Sequence, residues 1–87
     1  MSRRPETARY ELVTRPGCHL CDEMEALLVE VLAARGLSFG RLDVDADPAL
    51  AARFGAVVPV LLRDGRPVAK VRLDRRGLER ILRRRAG

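Results

Sequence analysis

The sequence predicts an α/β fold, a four-stranded mixed sheet in the order β-α-β-α-β-β-α with helices on both faces. Three observations carry that expectation. The apolar pattern switches between a period near two and a period near 3.6 along the chain. Val57 to Leu62 is a run of apolar residues long enough for a buried strand. Asp64–Gly65, set between two strand-like segments, is a strong hairpin signal.

Taken in order, Tyr10 to Thr14 reads as a short strand, with Tyr10, Val13 and Thr14 around Leu12. Pro16 and Gly17 break it and turn the chain. From Leu20 the period becomes helical: Leu20, Met24, Leu27, Leu28, Val31 and Leu32 form one apolar stripe. Asp22, Glu23 and Glu25 place negative charge where the helix dipole favours it, and Gly36 can close the helix in the left-handed conformation. Phe39 to Val44 alternates again, with Leu42 and Val44 opposite Arg41 and Asp43. Asp47–Pro48 supplies an N-cap followed by proline at the first helical position, opening a short helix with Leu50 and Phe54 that ends at Gly55. The hairpin joins Leu61–Arg63 to Arg66–Val71, and Asp74 can cap a last helix whose buried stripe is Leu78, Ile81 and Leu82. Helical crossovers link the first three strands, which makes the sheet mixed.

Eighty-seven residues suffice for one domain, expected over residues 9–87 behind a flexible segment at 1–8. With no Trp and three aromatic residues in all, the core must come from Leu, Val and Ala. No apolar run is long enough to cross a bilayer, so no membrane partner is expected. The first eight residues are polar and carry no secretory-type apolar stretch, which makes the cytoplasm the expected compartment. The net charge is +5, and of seventeen basic residues only Lys70 is lysine. Charge of this kind favours anionic partners without naming one.

Cys18 and Cys21 are the residues that carry chemistry. A C-x-x-C pair closes too short a loop to be chiefly a structural staple, and in a reducing compartment it reads as redox chemistry or half of a metal site. The pair falls where the first strand passes into the first helix, at a helix N-terminus whose free N–H groups favour a thiolate. Cys18 would sit at or outside the cap and act as nucleophile, and Cys21, inside the first turn, would resolve the mixed disulfide. Arg15 and a protonated His19 flank the nucleophile and favour its anion, while Asp22, Glu23 and Glu25 oppose it. His19 reads equally well as an exposed residue without a role.

Residues Arg15-Pro16-Gly17-Cys18-His19-Leu20-Cys21-Asp22 resemble the active-site turn of glutaredoxin-like proteins in the thioredoxin superfamily, most closely small members with a G-C-x-L-C-D turn. Val57-Val58-Pro59 is similar to the T-V-P segment of glutaredoxins. The resemblance implies a thioredoxin-like fold, a cis bond before Pro59, Val58 as a main-chain partner for a bound thiol, and Arg15 as a contact to glutathione. It implies a thiol–disulfide oxidoreductase without a bound cofactor or metal. Its partners would be a disulfide-containing protein or a glutathione mixed disulfide, together with an external thiol reductant. Glutathione is the candidate co-substrate, and the chain is expected to act as a monomer. Two departures stand out. Ala69-Lys70-Val71-Arg72-Leu73-Asp74 lacks the glycine pair that glutaredoxins carry after the hairpin, and Val57 replaces their threonine.

Three rival readings use the same residues. A copper or iron–sulfur module could employ the C-x-x-C pair, since two thiolates suit soft metals. Copper carriers, however, run βαββαβ and have methionine shortly before the first cysteine, where this chain has Arg15-Pro16-Gly17. A closed zinc site wants four ligands, and the only histidine, His19, stands between the cysteines. Arginines crowd the C-terminal segment from Arg72 to Arg85, but aromatic residues for base stacking are nearly absent, so nucleic acid is not an expected partner. A scaffold that binds partners without catalysis is the third alternative.

Overall fold

The computed structural model describes residues 8–84. Strand β1 (Tyr10–Thr14) leads into helix α1 (His19–Ala34), then β2 (Phe39–Asp43), a 3-10 turn (Val44–Ala46), α2 (Pro48–Phe54), β3 (Val60–Arg63), β4 (Arg66–Lys70) and α3 (Arg75–Arg83). The strands form one mixed sheet in the order β2-β1-β3-β4, with β2 parallel to β1 and the other pairs antiparallel. The N-terminal segment expected over residues 1–8 lies, apart from Ala8, outside the described residues, as does Arg85.

Side-chain alternation along the central strands divides the core in two. Tyr10, Leu12 and Leu61 pack on one face with Met24, Leu28, Val31 and Leu32 of α1 and Leu78 of α3. Val13, Val60 and Leu62 point to the other face, where Val44 of the 3-10 turn and Phe54 of α2 cover them. The helices therefore lie on both faces, α1 and α3 together and α2 opposite.

Local signals decide most of the element ends. Helix α1 closes as a Schellman motif: Gly36, at φ +72, gives its N–H to Ala33 O, and Leu37 N–H reaches Leu32 O at 2.8 Å. The Asp47 carboxylate accepts from Ala49 N–H at 2.8 Å and Asp74 from Gly77 N–H at 2.8 Å, so both expected caps form. Asp64 and Gly65 both take positive φ, 53° and 84°, which matches the twist of the strands they join. The β3–β4 register shifts between Leu61 and Leu62, leaving Val68 of β4 without a partner, and Pro67 sits in the edge strand β4, where a missing N–H costs least.

Three expectations need correction. The apolar run does not form a strand from Val57: β3 begins at Val60, directly after Pro59, which has no N–H to give to a ladder. The second strand stops at Asp43, whose side chain accepts from Asp45 N–H at 2.9 Å and starts a 3-10 turn that carries Val44 into the core. Strand β4 stops at Lys70, one residue early, because Val71 is left-handed at φ +68. That conformation is strained for a β-branched side chain.

Two stability measurements follow. Leu28 is fully buried, and Leu28→Ala should cost about 2–5 kcal/mol in urea unfolding. Val71→Gly should range from neutral to stabilising by about 1 kcal/mol, because relief of left-handed strain offsets the unfolded-state entropy of glycine. A loss beyond about 1 kcal/mol would show that Val71 packing outweighs strain.

Candidate functional site

The antiparallel register of β1 and β3 brings the end of one strand beside the start of the other: Val13 pairs with Val60. The loop that leaves β1 (residues 15–18) and the loop that enters β3 (residues 55–59) therefore emerge at the same end of the sheet. Both were marked by sequence as site-bearing.

Cys18 is the N-cap of α1, with extended backbone at φ −102 and ψ 111. Its sulfur accepts the Cys21 N–H at 3.1 Å, and its carbonyl accepts the Asp22 N–H at 3.0 Å. A thiol thus takes the role that Ser or Asp fills at ordinary caps, satisfying one of the helix's free donors. The two cysteines are unbridged and differ in exposure: Cys18 is half-buried, Cys21 fully buried. Burial pushes the Cys21 thiol above its ordinary value, and its hydrogen bond with Cys18 adds to the rise. The Thr14 side chain and the Arg15 main-chain amide, at the end of β1, act on the same sulfur in the opposite direction.

Pro59 is buried, and the Val58–Pro59 bond is cis, as the resemblance implied. Its carbonyl accepts the Val71 N–H at 2.8 Å, tying the end of β4 to this loop. The Val58 amide and carbonyl take no part in the main-chain hydrogen bonds that tie the loops together among the described residues.

Arg15 and His19 do not both face the cysteines. His19 is exposed and turned along the helix surface, with Nε2 2.7 Å from Glu23 Oε2. Arg15 reaches across the mouth of the site instead. Its Nε donates to Asp45 Oδ2 at 2.9 Å, its Nη2 to Asp45 Oδ1 at 3.1 Å and its Nη1 to Gly55 O at 3.1 Å. The paired carboxylate holds the guanidinium above its usual range and is itself held below the ordinary aspartate value. Both cysteine sulfurs also act on the Arg15 charge in the direction of attraction.

Residues 9–83 match the family described as Glutaredoxin-like domain (DUF836). The chain belongs to this family. An uncharacterized protein of Mycobacterium tuberculosis is 38% identical over 63 residues, a match covering 67% of this chain and 65% of the relative. The match thus spans just under two thirds of that relative's length. A structural-genomics target protein from X. campestris has a TM-score of 0.71 at 34% identity, over 84% of this chain and 93% of that one. A mutant thioredoxin from Halobacterium salinarum has a TM-score of 0.61 at 29% identity, over 88% and 73% of the two chains. The thioredoxin-like architecture expected from sequence is the one observed.

Within this glutaredoxin-like domain, an open groove of about 500 Å³ runs beside the first turns of α1, between Leu20, Glu23 and Met24 on one side and Val71, Arg72 and Asp74 on the other. The bend that ends β4 is left-handed at Val71, φ +68, in a stretch that has no glycine pair. Among the described residues no three His, Cys, Asp or Glu side chains come together as a metal-ligand set, and no helix is long and apolar enough to cross a membrane. Sequence reasoning missed Asp45, Gly55 and Thr14. Asp45 carried no motif, but its place directly after the second strand, two residues beyond a self-capping Asp43, is a position from which a side chain can reach the first loop.

The asymmetry of the two thiols is directly measurable. In the reduced protein near neutral pH, iodoacetamide should label Cys18 well before Cys21, and denaturant should abolish the difference. Because folding raises the Cys21 thiol above its ordinary value of 9.0, the folded state holds more protons than the unfolded state just above that pH. The Cys21 contribution to stability should therefore fall as pH rises from about 8 to 10, and Cys21→Ala should flatten that slope in pH-dependent urea unfolding.

Proposed function

We infer that the protein is a thiol–disulfide oxidoreductase whose Cys18–Cys21 dithiol reduces disulfides of protein or glutathione mixed-disulfide partners. The observation that carries this reading is the pairing of a half-exposed Cys18 at the cap of α1 with a buried Cys21 whose N–H already points at the Cys18 sulfur. The Cys18 thiolate attacks one sulfur of the partner disulfide. A Cys18–partner disulfide forms, and the other partner sulfur leaves with the electron pair and takes a proton. Cys21, once deprotonated, attacks Cys18 Sγ, so an internal disulfide forms and the second partner thiol is released. Two equivalents of an external thiol, or one dithiol, then supply two electrons and two protons, restoring the Cys18–Cys21 dithiol and leaving as a disulfide.

The raised Cys21 thiol fits this order of events. It stays protonated while Cys18 reacts, and it sits one turn into the helix, close behind the sulfur it must attack. The cis-Pro59 loop supports the same reading, since the Val58 main chain, which takes no part in the loop hydrogen bonds among the described residues, can pair with an extended substrate segment as a strand would. With no third ligand gathered near the two sulfurs among the described residues, exchange is favoured over a resident metal. The reading also favours a reducing compartment such as the cytoplasm, where a dithiol is regenerated by the thiol pool.

Reduction of a model protein disulfide should be lost in Cys18→Ser. Cys21→Ser should accumulate a covalent Cys18–substrate disulfide, visible by non-reducing electrophoresis and mass spectrometry. Full activity in Cys18→Ser would overturn the assignment.

A further inference from the structure

Arg15 is the fixed cation nearest in sequence to the nucleophilic cysteine, yet every nitrogen of its guanidinium is already engaged. Two bond the oxygens of Asp45 in a fork-to-fork pair, and the third bonds Gly55 O. Such pairs are the geometry in which arginine recognises carboxylates generally, so Asp45 occupies the place that a substrate carboxylate would take. We propose that Asp45 is a specificity-determining residue, an internal carboxylate that fills the Arg15 fork and disfavours small disulfides bearing carboxylates of their own.

Several features make this arrangement specific. Asp45 is placed by its backbone, because the Asp43 side chain accepts the Asp45 N–H at 2.9 Å and fixes the 3-10 turn. The third contact goes to the carbonyl of Gly55, the C-cap of α2, a tightly packed helix end where a Cβ would come within 2.6 Å of Ala51 O. The pair lies at the surface, with the Arg15 side chain 37% and Asp45 54% exposed. A soluble carboxylate can therefore reach the fork but must first displace Asp45. Asp43 and Asp47 flank the same turn and add negative charge on that side. A protein substrate that docks through its main chain at Val58 does not need the fork.

This inference rests on the reading of Cys18 as the attacking thiol. The test measures second-order rates of Cys18 modification by dithiodiglycolate, which carries two carboxylates, and by neutral bis(2-hydroxyethyl) disulfide. In each case one sulfur joins Cys18 and the other leaves as a thiolate, so the chemistry is the same and only the charge differs. Asp45→Asn should raise the anionic-to-neutral rate ratio roughly two- to five-fold at low ionic strength, with the gain shrinking as salt is added. Asp45→Ser serves as a second variant, and circular dichroism establishes that each protein is folded. On an Arg15→Gln background, removing Asp45 should leave the ratio nearly unchanged. An unchanged ratio in the single variants, or an equal rise without Arg15, overturns the proposal, the latter by showing a general charge effect. A Cys18 inert to both disulfides overturns the exchange reading and this inference together, whereas normal reactivity with unaltered selectivity overturns the inference alone.

Discussion

The pairing of Val13 with Val60 is the constraint on which the site depends. It is a contact between apolar, fully buried residues of two central strands, and it says nothing of chemistry by itself. Because the strands run antiparallel, it sets the exit from β1 beside the entrance to β3. Everything reactive hangs from those two loops. Cys18 and Cys21 follow one and cis-Pro59 closes the other, and the Arg15–Gly55 hydrogen bond joins the two across the mouth. The Val71 N–H to Pro59 carbonyl bond then fastens the end of β4 to the same place. A core pair fixes the position of the loops, and polar contacts fix their detail.

The cap of α1 shows how local geometry turns into reactivity. An ordinary N-cap uses an oxygen to satisfy a free amide, and the exchange ends there. With sulfur in that position the same amide accompanies a thiol, at 3.1 Å, and the residue that donates it is the second cysteine. One turn of helix thereby sets both the separation of the thiols and their difference in exposure. Met24 and Leu28, one and two turns further on, are buried against the sheet, so the face that carries Cys21 inward is the same stripe that anchors the helix. Burial of Cys21 is a consequence of helical periodicity, and its raised thiol is a consequence of burial.

Much of this could be read from sequence, for a physical reason. Helix α1, the Asp47 and Asp74 caps, the Gly36 terminator and the Asp64–Gly65 turn are all short-range events, decided by residues within a few positions of one another. The cysteine pair and Pro59 were found because a motif marks them. What escaped was of two kinds. Strand limits at Val57, Val44 and Val71 differ from the expectation because β-branched residues look like strand wherever they stand, and only the backbone shows that Val44 opens a 3-10 turn and Val71 is left-handed. Asp45 escaped because its partner lies thirty residues away, and one aspartate among Asp43, Asp45 and Asp47 has no local mark to set it apart.

That last omission bears on how likeness is carried from one chain to another. Arg15 matches a family position by sequence, and the match invites a substrate contact. The structure gives the guanidinium a different set of partners, all internal. A residue can keep its identity and its place while a neighbour from a distant segment decides whether its hydrogen bonds are open to a ligand. At Val71, too, the chain takes a left-handed bend with no glycine to ease it. Both features lie around the Cys18–Cys21 pair, its cap and the cis-proline. The proposed exchange chemistry needs little beyond those three elements, so the surroundings are free to vary, and it is there that a choice among disulfides is physically most easily made.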